Sequence, residues 1–163
     1  MISSRVIHRL GLRAIFTLLS LQCNALYNLN NMLIDNILLD NLTAQAQESP
    51  RLRMNFDLRN SDADSSQRML NALEPGTVLP IHRHCSTSET VAILRGRAVQ
   101  WLYDADGNVT EKVLLEVGGA IPAMSVEKGQ WHRLECLESG TVILEMKDGA
   151  YEPIGEGDVM GKG

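Results

Sequence analysis

The sequence predicts an all-β domain, a sandwich or barrel, with one short helix packed near its N-terminus. Two observations carry this expectation. After Pro50 the chain breaks into many short apolar runs, with a turn signal roughly every eight to twelve residues, as antiparallel strands folded back on one another require. Ahead of them, residues 32–50 have helical rather than alternating periodicity.

The first 31 residues read differently from the rest. Arg5, Arg9 and Arg13 precede the apolar run Ala14–Leu21, a basic start and short apolar core like those of a secretory signal. The run is well short of the roughly 20 apolar residues that a membrane span needs. Cys23 hints at a lipoprotein site, but Gln22 stands where a small residue is wanted. The favoured reading is that translation begins at Met32. Residues 1–31 then form an extension and residues 32–163 the domain.

From Met32 the segment LIDNILLDNLTAQAQESP predicts an amphipathic helix. Asp35 is placed to cap it, Ile34 to staple onto Leu39, and Leu38, Leu42 and Ala46 recur at helical spacing until Ser49-Pro50 stops the run. The helix is expected to lie against the barrel. Strands follow at 53–58, 68–73, 90–94, 98–103, 109–117, 121–126, 131–136 and 141–147. Pro75-Gly76, Arg95-Gly96, Asp104-Ala105-Asp106-Gly107 and Gly118-Gly119 punctuate them. The DADG segment lacks the ligand array of a calcium loop and reads as a hairpin turn.

Composition narrows the function. At 163 residues, 44% hydrophobic and 21% charged, the chain suggests one soluble globular domain with a real core. A net charge of −5 and 4% aromatics argue against a nucleic-acid partner. Cys23, Cys85 and Cys136 have no metal-type spacing and leave one over, which fits reduced thiols in a cytoplasmic protein.

The chemistry concentrates in Gly76–Gly96, GTVLPIHRHCSTSETVAILRG. On an extended strand His82 and His84 share a face. Glu89 lies at an odd offset, and the small residues Cys85–Ser88 allow a bend that brings its carboxylate round. Two imidazoles and a carboxylate converging on one point suit a divalent metal. Cys85, beside His84, should point away from that face by alternation.

This stretch resembles the first cupin motif: glycine, five residues, His-x-His, four residues, glutamate, six residues, glycine. Gly129-Gln130-Trp131-His132 resembles the core of the second motif and nominates His132 as the fourth ligand, although Glu127 stands at its usual proline position. Strand spacing and both motifs together imply a cupin jelly-roll-like β-barrel. From Met32 the chain further resembles the WbuC-type cupin-fold metalloproteins. The likeness runs through the helix, residues 49–56 and 67–76, both motifs, and Glu145–Pro153.

The resemblance implies one divalent ion held by His82, His84, Glu89 and His132; iron, manganese, nickel, zinc and cobalt all suit these donors. It implies a sugar, sugar-nucleotide or other small polar metabolite in a polysaccharide or O-antigen biosynthesis setting. Arg53 and Asn55 are candidates to bind that substrate, Tyr151 and Lys147 to act as acid or base. A metal-dependent isomerase, lyase or oxygenase is the favoured class, and a non-catalytic binding or sensing cupin the alternative. The expected partner is a small-molecule ligand, with no nucleic acid and no membrane span; a homodimer is compatible with this reading.

Overall fold

Asp35 caps the helix from the position its sequence context implies: its Oδ1 accepts a hydrogen bond from the Leu38 backbone N–H at 3.0 Å. Helix α1 runs Asn36–Glu48. Ser49 closes it, its N–H donating to the carbonyls of Gln45 and Ala46. The stripe it buries is Leu39, Leu42 and Ala46, one position round from the expected Leu38, which is only partly covered. The computed structural model describes residues 31–161. The signal-like and lipoprotein readings of the first 30 residues, Cys23 included, fall outside the described residues.

Eight strands follow: β1 Arg53–Asp57, β2 Ser66–Leu73, β3 Glu89–Arg95, β4 Arg97–Tyr103, β5 Val109–Glu116, β6 Ala123–Val126, β7 Trp131–Cys136 and β8 Thr141–Asp148. All pairings are antiparallel. The strands form a five-stranded sheet in the order β1-β2-β8-β3-β6 and a three-stranded sheet in the order β5-β4-β7. The sequence-based strand positions agree with these to within a residue or two at most ends.

At β2 and β8 the larger sheet is covered on both faces. On the outer face Leu70, Ala72 and Val142 pack against Leu39, Leu42 and Ala46 of α1. Burying each leucine there is worth about 2 kcal/mol. On the inner face Leu73, Val91, Ile93 and Ile143 meet Ala98, Leu115, Leu134 and Cys136 of the smaller sheet. This apolar plug fills one end of the barrel.

Gly96 joins β3 to β4 at φ +72°. That conformation suits glycine, and the backbone passes so near Thr141 that a Cβ would sit 2.9 Å from its Cα. Thr141 Oγ1 in turn donates to the Arg97 carbonyl at 3.2 Å, buttressing the turn.

Candidate metal centre and its cavity

Residues 80–84 do not form the regular strand that the sequence suggests. Pro80 has no N–H to give to a ladder, and His82 makes only isolated bridges, one to His132 and one to Val159. The segment is nevertheless held on both sides. His82 N donates to His132 O at 3.0 Å and His132 N returns to His82 O at 2.8 Å, while Met160 N donates to Ile81 O at 2.9 Å and Arg83 N to Asp158 O at 3.0 Å. Arg83 points away from the barrel interior. Its Nε donates to Asp158 Oδ1 at 2.9 Å, and its guanidinium lies 4.5 Å over the Trp131 ring. The first motif, the second motif and the segment after residue 155 are thereby clasped together.

Glu127 does not undo the second motif. The turn it opens is closed by Gln130 N donating to Glu127 O at 3.1 Å, and Gly129 N donates to His84 O at 2.7 Å. These bonds do the aiming that a proline would otherwise assist, and His132 is 2% exposed.

His82, His84, Glu89 and His132 each offer a donor atom, and these four atoms all lie within 4.8 Å of one another. His82 Nδ1 lies 3.1 Å from the Pro80 carbonyl and His132 Nδ1 2.9 Å from the Gln130 carbonyl. A carbonyl only accepts, so in both neutral rings Nδ1 carries the proton and Nε2 keeps its lone pair for the cluster. His84 Nε2 is 2.9 Å from Glu89 Oε2. His132 Nε2 is buried with no hydrogen-bond partner, 3.6 Å from Glu89 Oε1.

The electrostatics match this donor set at His82 and Glu89, whereas the Glu89 contact favours a proton on His132 that a cation would have to displace. Burial and the neighbouring His132 push His82 down to about 4, keeping it neutral. Burial raises the Glu89 carboxyl, but its contacts with His132 and His84 outweigh that and hold it well below the ordinary carboxylate range. Burial lowers His132, yet the Glu89 contact wins and leaves it raised. An unpartnered buried nitrogen is costly to leave empty-handed. A cation at this point would satisfy it, and three imidazoles with one carboxylate fit a divalent ion of the transition series. Cys85 is not in the cluster; its Sγ donates to Asp158 Oδ1 at 3.1 Å.

These four residues line one side of a cavity of about 310 Å³ between the sheets. Of the other sequence-nominated residues, Arg53, Lys147 and Tyr151 also line it. Arg53 donates to the Val78 carbonyl at 2.6 Å, and Lys147 Nζ lies 3.5 Å from His84 Nδ1. Asn55 lines a neighbouring groove along β1, shared with Arg53 and Tyr151.

The structure adds residues that the sequence analysis does not single out. Glu145 accepts from Gln67 Nε2 at 3.0 Å and from Asn71 Nδ2 at 3.1 Å, and burial together with the Glu89 charge pushes its carboxyl up to about 7. Gln100 is 1% exposed. All four line the cavity. The signal for Gln100 and Glu145 is a polar residue interrupting the apolar runs of β4 and β8; Gln67 and Asn71, in a mixed strand, carry none.

The family model for a domain of unknown function (DUF6016) matches residues 34–115. No curated protein matches the chain. Among solved structures it is similar to KdgF from Halomonas sp., at a TM-score of 0.50 and 15% identity over 62% of this chain and 82% of that one. It is similar to oxalate oxidase in complex with the substrate analogue glycolate, at 0.53 and 12% over 66% and 56%. A second oxalate oxidase structure matches at 0.51 and 11% over 64% and 54%. The chain thus spans little more than half the length of the oxalate oxidases. At these identities the likeness is one of fold, and it shows the cupin jelly roll.

Proposed function

The chain belongs to the DUF6016 family, a domain of unknown function, and from its own site we propose that it holds one divalent metal ion and acts on a small polar metabolite bound beside it. The observation that carries this is the convergence of His82, His84, Glu89 and His132 within 4.8 Å, with His132 Nε2 buried and unpartnered. The native ion is iron, manganese, nickel, zinc or cobalt.

When bound, such an ion polarises a carbonyl or hydroxyl oxygen as a Lewis acid. The chain supplies the rest. Glu145, poised near neutrality, can take or give a proton within the same cavity as the ligands. It joins Lys147 and Tyr151 as an acid–base candidate. Arg53 makes no ion pair among the described residues and is free to hold a carboxylate or phosphate. These groups favour an isomerase, lyase or oxygenase over a passive binder. The sugar or sugar-nucleotide class, in a polysaccharide or O-antigen setting, comes from the WbuC-type resemblance.

The test is elemental analysis of protein purified without a nickel column. About one equivalent of a transition metal, lost in His82→Ala, supports the reading. Metal-free wild type that also fails to take up added manganese, iron or zinc overturns it.

A further inference from the structure

Gln100 is an anomaly of packing. It points inward from β4, the central strand of the smaller sheet, opposite Leu134 and Val113, on the same face as Ala98 and Leu102. Among these neighbours a leucine would suffice. Instead an amide is 1% exposed, and neither its Nε2 nor its Oε1 has a hydrogen-bond partner. Each such atom carries its full desolvation penalty when left unpaired. Across the barrel Gln67, 3% exposed, repeats the pattern: its Nε2 is committed to Glu145, and its Oε1 is unpartnered.

These groups share one cavity with the metal-ligand cluster but are not needed to build that cluster. We infer that Gln67, Asn71, Gln100 and Glu145 form a hydroxyl-binding subsite that takes a polyhydroxylated small molecule of about monosaccharide size. The inference rests on the reading that a small polar metabolite occupies the cavity, and it names the recognition chemistry.

The chemistry follows from the free atoms. Two unpartnered carbonyl oxygens, on Gln67 and Gln100, stand with one unpartnered amide nitrogen on Gln100. Glu145 is oriented by two amides, Gln67 and Asn71. An anion seeks donors only, and would meet the two free carbonyls and the carboxyl group. A hydroxyl both donates and accepts, so a row of hydroxyls can satisfy such a mixed wall. A site built to pair hydroxyls rejects analogues that lack them, because its own buried groups are then stranded. The cavity, about 310 Å³, sits at the small end of ligand pockets, which start near ~300 Å³.

The experiment uses the full chain, loaded with manganese, in calorimetric titration. The probes are D-glucose, D-galactose, myo-inositol and D-glucuronate, with cyclohexanol and cyclohexanecarboxylate as hydroxyl-poor rings of the same size. At least one hydroxylated ring is expected to bind, and neither hydroxyl-poor ring. Gln100→Leu should weaken that binding by about tenfold or more, the loss of one or two buried hydrogen bonds. Its metal content should be unchanged and its Tm unchanged or higher.

Equal binding of the hydroxyl-poor rings, binding of no hydroxylated probe, or undiminished binding in Gln100→Leu overturns the subsite. So does a folded Gln100→Leu protein with a lower Tm, which would make the amide structural. Should Gln100→Leu not fold, Gln67→Leu carries the binding arm of the test alone, because it also removes a hydrogen bond to Glu145 and its Tm is expected to fall. Metal content measured on the same samples separates the two readings. Hydroxyl-dependent binding by a protein that takes no metal removes the metal reading and leaves the subsite.

Discussion

His82 and His132 exchange both of their backbone hydrogen bonds, at 3.0 and 2.8 Å, which sets their rings 4.3 Å apart. Backbone pairing at this point does not depend on either imidazole, and the Arg83 guanidinium over Trp131 adds a second tie between the motifs. Alanine at either position should therefore leave the pairing intact while removing a donor that a bound divalent ion needs. We expect His82→Ala and His132→Ala to fold with stoichiometric metal lost, and Cys85→Ser to keep its metal, all read by elemental analysis and circular dichroism. Metal kept in His132→Ala but lost in Cys85→Ser would reassign the fourth ligand.

Glu89→Gln should weaken metal binding without abolishing it. The amide keeps an oxygen donor but loses the charge that favours a divalent ion, and it changes the partner of His84 Nε2, now 2.9 Å from Glu89 Oε2. A loss of about one to two orders of magnitude in affinity is expected, measured by competition with a chelator. An unchanged affinity would remove Glu89 from the ligand set.

Glu145 gives the metal-free protein a pH signature. Its folded pKa, about 7, lies above the ordinary 4.5, so it contributes stability that is fully present below pH 4.5 and is lost as pH rises through 7. Glu145→Gln removes the charge, and Gln67 can turn its amide so that its carbonyl accepts from the new side chain. The variant should gain stability over wild type at pH 8, by about 1–3 kcal/mol, and the gain should shrink at pH 5. His82 titrates in both proteins and cancels from the difference. Denaturant melts of metal-free protein at the two pH values check it; a gain that is equal at both would show that Glu145 is ionised throughout.

Gly96→Ala should lower stability by about 2–4 kcal/mol, combining a left-handed backbone with a Cβ driven against Thr141. Gly118 is the control. It has the same φ of +72° but nothing within 4 Å of a Cβ, so Gly118→Ala should cost only about 1–2 kcal/mol. Equal Tm losses would assign the effect to φ alone.

Much of this was legible in the residues. Turn chemistry marked the strand ends, and the two motifs named four side chains that the fold does bring together. What could not be read has a physical cause. In β8 the outward Val142 and Leu144 meet α1, while Thr141, Ile143, Glu145 and Lys147 face inward by register with β2. With both faces covered, alternation carries no label for inside and outside. Glu145 therefore reads like a residue at the solvent end of a strand, and Gln100 like a polar interruption of β4. The 80–84 segment misleads for another reason: its extended backbone is real, but its partners are single bridges contributed from far along the chain.

Those distant partners also set an order of events during synthesis. The stretch bearing His82, His84 and Glu89 leaves the ribosome well before His132, and earlier still than Asp158 and Met160, whose backbone groups bond to Arg83 and Ile81. Long-range pairings of this kind form late. The nascent chain thus passes through a stage in which β1 can pair with β2 while β3 and β4 still lack every strand partner, and His82, His84 and Glu89 have no opposing wall. A cation would meet the full donor set only after His132 and the segment through Met160 have emerged.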